Sequence, residues 1–223
     1  MSKPFTWSYS RLKNWRSCPH KHQQVDLLRK YTESNEQLVY GNKVHKAFAD
    51  ALTGKSPLPR EFDVWEKWVK MIKLLPGDLL VEQKFAVDRS LSATEYFGPK
   101  VWMRGIGDAI KIDGTRAAAI DFKTGKMKHD SEQLVLMAQC LFSHHSELEK
   151  IRATFIWLQD DAITSDNYTR EDVANAWKNG LLAEVEEMEQ AAQTQHYPKH
   201  PSGLCKAYCP VSDCEFFQKG TPR

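Results

Sequence analysis

Apolar residues recur at helical spacing through the first third of the chain. Leu12 and Trp15 share one side of a segment that Ser8 or Ser10 can cap, until Cys18-Pro19 interrupts the pattern and a second helical segment resumes near residue 20. Residues 41–52 set Val44, Ala47, Phe48 and Ala51 on one stripe, and residues 61–75 repeat it with Phe62, Trp65, Trp68, Val69 and Ile72. The period then shortens. Residues 79–88 alternate partly about Val81, Phe85 and Val87, which predicts a strand, and residues 101–112 and 116–122 flank an Asp113-Gly114 turn signal, which predicts a hairpin. Residues 131–146 return to helix and 151–158 suit a buried strand. Thr169 with Asp172 resembles a capping box opening a helix to about residue 195. The predicted order is helices, three strands, helix, strand, helix, an α/β (α+β) arrangement.

The segment from Tyr197 to Arg223 is rich in Pro, Gly and Cys and has no clear period, so it is expected to fold around something other than its own core. No internal repeat or low-complexity tract is evident. Thr53-Gly54-Lys55-Ser56 has the look of a phosphate-binding loop, but Ala49 stands where the first glycine belongs and Pro57 where a helix should begin, so that reading is rejected.

With 41% hydrophobic and 27% charged residues in 223, the chain is long enough to bury a core. It shows no apolar signal core and no membrane-length apolar run, which makes a cytoplasmic protein the expectation. A formal charge of +2 does not announce a nucleic-acid partner. Two local clusters can touch phosphate or simply be solvated faces: Arg11, Lys13, Arg16, His20, Lys21 and His22, and then Lys123, Lys126, Lys128 and His129. Trp7, Tyr9 and Trp15 are either base-stacking rings or core.

The hairpin concentrates the chemistry. If Asp113 and Gly114 form a two-residue turn, residue 108 pairs with 119. Asp108, Asp121 and Lys123 then share one face, with the two acids as diagonal neighbours about 7 Å apart at the backbone. Two carboxylates across that gap can share a hard divalent cation, and Lys123 can orient or deprotonate a water. Gly105 and Gly107 leave room for close approach of a nucleic-acid backbone. Strand-end acids and a surface lysine are the bland alternative.

At these residues the chain resembles a known family. Gly107-Asp108 followed by Ile120-Asp121-Phe122-Lys123-Thr124-Gly125 is similar to the catalytic signature of RecB-type nucleases in the PD-(D/E)XK superfamily. Residues 8–19 resemble the family's opening helix, Gly41 to His45 its Gly-x-x-x-His element, Glu82 the acid before the hairpin, and Gln133-Leu134 the start of its Gln-containing helix. Met137 departs from the pattern, standing where many relatives carry Tyr. The resemblance implies a restriction-endonuclease-like core, a mixed central sheet flanked by helices. It implies magnesium or manganese held by His45, Asp108, Asp121 and the Phe122 carbonyl, with Lys123, Glu82 and Gln133 assisting catalysis. It divides the chain into a helical region 1–78 packing on the core, a nuclease core 79–196 and a Cys-rich tail 197–223.

Cys140 lies in an apolar helix and reads as a core residue, whereas Cys205, Cys209 and Cys214 form C-x3-C-x4-C far from Cys18. Four thiolates suit an iron–sulfur cluster or a structural Zn2+. The arrangement resembles the AddB-type and CRISPR-adaptation branch of the family, in which one early and three late cysteines hold a 4Fe-4S cluster, with Cys209 displaced by one position. The resemblance thus implies an exonuclease acting on DNA ends or single strands in recombination or repair, in a bacterium or a phage, with or without a recombination partner protein. A DNA endonuclease, a catalytically silent DNA-binding scaffold and a zinc-stapled interaction module are the alternatives. The oligomeric state stays open.

Overall fold

The computed structural model describes residues 5–128 and 131–219, so His129 of the second basic cluster lies outside it. In chain order the elements are helices α1 (Tyr9–Ser17), α2 (Pro19–His22), α3 (Glu36–Leu52) and α4 (Glu66–Leu74), then strands β1 (Asp78–Val87), β2 (Ala93–Thr94), β3 (Met103–Asp113) and β4 (Arg116–Lys123). Helix α5 (Glu132–His144), strands β5 (Lys150–Trp157) and β6 (Ala162–Tyr168), and helices α6 (Arg170–Ala176) and α7 (Leu182–Thr194) follow. Helix α1 stops at Ser17 because Cys18 is extended, as the residue before a proline prefers, and Pro19 then opens α2. The Thr169–Asp172 capping box forms. The single helix expected after it is instead interrupted by a π-helical turn at Trp177–Leu181, where Gly180 weakens helix propensity. Strand β6 is the main element missing from the predicted order: its polar run Thr164-Ser165-Asp166-Asn167 masks the alternation.

The strands form one mixed sheet in the order β2-β1-β3-β4-β5-β6, antiparallel except for β4 beside β5, which α5 connects by a crossover. This is the mixed sheet flanked by helices that the resemblance implied. Contacts divide the chain into two compact units, residues 36–179 and residues 1–35 with 180–223. These bounds differ from the 78/79 and 196/197 divisions expected from the resemblance. In the first of these units α3, the 3-10 turn Arg60–Trp65 and α4 lay Val44, Phe48, Phe62, Trp65 and Ile72 over Ala109, Ile120, Phe122 and Ile156 of the sheet. Phe48 and Phe122, with ring centroids 4.1 Å apart, sit at the middle of this layer, and each buried ring or branched side chain there contributes about 1.5–3 kcal/mol. Phe122 thereby fixes β4 so that its neighbours Asp121 and Lys123 point to the other face.

In the second unit the basic cluster is largely neutralised from within. Arg16 pairs with Glu184, Lys21 with Glu33 and His22 with Asp26. Trp7 is fully buried and is core, not a stacking platform. Trp15 meets His22 and Tyr197 edge to face.

Candidate metal centre and active site

Side chains change faces midway along β1 and β3, and the site lies at that change. Near Asp78 the inner residues Leu79 and Val81 of β1, with Ala109 of β3, pack under α3 and α4. Farther along, Phe85 of the same odd-numbered series meets His144 of α5 at 5.2 Å, edge to face. Gly105 and Gly107 likewise aim at α5: a Cβ on the first would lie 3.3 Å from Cys140 Sγ, and one on the second 2.6 Å from Ile110 Cδ1 and 3.3 Å from Met137 Sδ. The pairing register is the same on both sides, Val81 opposite Ala109 and Gln83 opposite Gly107, but no ladder pair forms between them. Glu82, at that gap, has φ +50°. A left-handed backbone at a non-glycine residue is strained, and such strain gathers where side-chain placement serves a site. The glycines expected to admit a nucleic-acid backbone therefore serve a different contact. They let α5 lie close on β3, with Met137 filling the space over Gly107.

The hairpin turn also differs from expectation. Asp113 pairs with Arg116, so Gly114 and Thr115 form the turn, and Ala109 lies opposite Ile120. Continued by one step, this register sets Asp108 directly opposite Asp121 rather than diagonal to it. The backbone ladder ends at Ala109 and Ile120, and the carboxylate of Asp108 takes over, with Oδ2 accepting the Phe122 N–H at 2.9 Å.

Two sets of side chains flank this fork. In the first, Asp108 Oδ2 is 3.1 Å from Nδ1 of His45 on α3, and His45, Glu82 and Asp108 offer ligand atoms that all lie within 4.8 Å of one another. Burial lowers the pKa of His45, but the hydrogen bond and charge of Asp108 outweigh it and the net shift is upward. Burial and then the charge of Asp108 raise that of Glu82. In the second set, Lys123 Nζ lies 2.6 Å from Asp121 Oδ2 and donates to Gln133 Oε1 at 2.7 Å, while Gln133 Nε2 donates to Asp121 Oδ1 at 2.6 Å. The Lys123 ammonium also sits 4.7 Å from the Phe155 ring centroid. Burial pushes the Asp121 carboxyl up to about 6, with Lys123 opposing and Asp108 adding to the rise. Asp121 is not in the three-residue group. Its Oδ2 is buried against the Lys123 ammonium.

The donor set of two carboxylates and an imidazole, with the Asp121 carboxylate close by, suits a hard divalent ion such as magnesium or manganese. All six side chains singled out in the sequence fall within these two sets, and Phe122 joins them through its amide. Sequence reasoning missed the gap at Glu82, for which the pattern of the chain carries no signal.

The four non-core cysteines belong to the other unit. Cys18 Sγ accepts the His200 amide and Cys205 Sγ the Ser202 amide, each at 3.4 Å. Burial raises the Cys209 thiol, to which the charges of Cys205 and Cys18 add. Among the described residues no three thiols lie within 4.8 Å of one another. Tetrahedral zinc, with Zn–S near 2.3 Å, needs its sulfurs about 3.8 Å apart.

A profile of the PD-(D/E)XK nuclease superfamily matches residues 6–214. Among solved structures, a protein of Eubacterium rectale named "Putative exonuclease" is 14% identical, with 98% of this chain and 89% of that one covered, at a TM-score of 0.55. The protein SSO0001 is also 14% identical over 97% and 89% of the two chains, at a TM-score of 0.47. No curated protein matches in sequence. Among the described residues no helix is long and apolar enough to cross a membrane.

Proposed function

The chain belongs to the PD-(D/E)XK nuclease superfamily, whose chemistry is phosphodiester hydrolysis, and from that premise we propose a magnesium- or manganese-dependent deoxyribonuclease that works as an exonuclease on DNA ends or single strands. The observation that carries this reading is the convergence of His45, Glu82 and Asp108 beside the Asp121–Lys123–Gln133 triangle. His45, Glu82 and Asp108 would hold the ion, with Asp121 Oδ2 and the Phe122 carbonyl as further donors. When bound, it supplies an acidified water and a counter-charge for the phosphate.

The chain's own groups do the rest. The Phe122 N–H fixes one oxygen of Asp108, and Asp108 in turn orients the His45 ring. Gln133 holds both partners of the Asp121–Lys123 pair, so the Lys123 ammonium is aimed without a flexible search. There it can orient the attacking water and hand a proton to the departing oxygen. End-labelled linear DNA and circular DNA, each with magnesium, manganese or chelator, test the proposal. Loss of label from linear DNA only, with either metal, supports it. Nicking of circles makes the enzyme an endonuclease, and inert DNA in every lane overturns the reading.

The cysteine set is proposed to hold a structural 4Fe-4S cluster. The gathering of Cys18, Cys205, Cys209 and Cys214 in one compact unit, with amide donors to two of the sulfurs, supports a shared thiolate-bound group. Anaerobic purification followed by iron, sulfide and zinc assays decides between the cluster and zinc. A role in recombination or repair in a bacterial or phage-infected cytosol follows the family resemblance.

A further inference from the structure

The change of faces at Glu82 and Asp108 exposes a row of side chains leading away from the proposed metal group. Gly105 and Gly107 face α5, so Arg104 and Ile106 between and beside them face the opposite side, and Ile106 is 41% exposed there. The register sets Lys84 opposite Ile106 and Ala86 opposite Arg104. Lys84 thus lies one two-residue step, about 7 Å, from Glu82, and Arg104 two such steps from Asp108.

In the loop from β2 to β3, Tyr96 and Phe97 form an edge-to-face pair with centroids 4.9 Å apart. Lys84 Nζ lies 5.6 and 5.7 Å from the two rings, and Arg104 Cζ 5.2 and 5.8 Å. Arg104 Nε also donates to the Tyr96 carbonyl at 2.8 Å, which fixes the loop that carries the rings. Phe97 nevertheless remains 79% exposed. Among the described residues neither Lys84 nor Arg104 forms an ion pair, unlike Arg16, Lys21 and His22, which do. Two cations without an ion pair, set diagonally about 7 Å apart on the neighbouring strands β1 and β3 beside an exposed ring, match the repeat of an extended nucleic-acid backbone and the π-face of one unstacked base.

We propose that Lys84, Arg104 and the Tyr96–Phe97 pair form a track for single-stranded DNA, the two cations on successive phosphates and Phe97 under a base. The proposal deepens the nuclease reading and rests on it for the direction of the strand, toward Glu82 and Asp108. A duplex fits the cations but not the ring, because its bases are already stacked on one another.

The test is binding of full-length protein, in chelator so that no cleavage occurs, to a fluorescent single-stranded oligonucleotide and to its duplex across a salt series. Phe97→Ala is expected to weaken single-strand binding about tenfold and to leave duplex binding unchanged, with Phe97→Trp restoring it. Lys84→Gln and Arg104→Gln should each lower the salt slope by about one, and Lys84→Arg should keep it. Equal binding of single strands by Phe97→Ala and the parent protein, or an unchanged salt slope in both charge variants, overturns the track. Inert DNA in the metal-supplemented assay overturns the nuclease reading instead, and the binding result stands apart from it.

Discussion

His45, Glu82 and Asp108 sit on a long helix and two paired strands, whereas Cys18 sits at a helix break and Cys205, Cys209 and Cys214 lie in short turns. The oxygen and nitrogen donors are placed by a buried apolar layer and by hydrogen bonds that close before any ion arrives, as from the Phe122 amide to Asp108. The thiols have two amide donors, and Val211 is the main buried apolar residue among the cysteine-bearing turns. One donor set is preorganised by the fold, and in the other the proposed cluster would supply much of the order. The difference teaches where each would fail: losing a ligand in the first costs chemistry, and losing one in the second costs structure.

Substitutions can break that comparison. Asp108→Asn should lower DNA cleavage on the order of a thousandfold, as loss of a charge-stabilising group does, with a melting temperature near that of the parent. Unfolding of this variant at room temperature would show that the donor set is held by its ion after all. Cys209→Ser should lose iron and sulfide together and destabilise its unit by several kcal/mol. Hydrogen exchange should then rise in residues 180–219 while residues 36–179 stay protected.

Cys140 sharpens the contrast among thiols. Its burial on α5 pushes the pKa from 9.0 up to about 12. The folded state therefore keeps the proton that the unfolded chain releases, so this stabilisation is complete below pH 9 and is lost as pH rises from about 9 toward 12. At pH 10 the parent should lose about 1.4 kcal/mol relative to its own value at pH 8, a loss that Cys140→Ala should not show in urea titrations at the two pH values. The same thiol should resist alkylation at pH 8, when the four others react after iron removal.

The smallest effect probes strain. Glu82→Asn places a residue tolerant of left-handed backbone at φ +50° and should stabilise the protein by up to about 1 kcal/mol. The same change should weaken manganese binding roughly tenfold or more, measured by calorimetry. A variant that is both less stable and equally able to bind manganese would remove Glu82 from the site.

Much of the site was legible because its residues lie in short runs with fixed parity. Asp121, Phe122 and Lys123 alternate on one strand, so the burial of Phe122 settles the facing of its neighbours whatever the turn. A shift of the turn by one residue moved the register by two and kept the parity, which is why Asp108 and Asp121 remained adjacent although the turn lay at Gly114-Thr115. Strand β6 escaped because a polar surface strand has no apolar alternation to read.

Order and type of the main elements, the helical stripes of α3 and α4, and the identity of the acids, lysine and thiols were determined by the sequence, since each depends on local spacing. Tertiary structure alone decided that Gly105 and Gly107 receive α5 rather than a ligand, and that β1 and β3 exchange faces at Glu82. It also decided which of the described cations enter ion pairs. These outcomes depend on which surfaces meet across large separations along the chain, and a local pattern holds no term for such contacts.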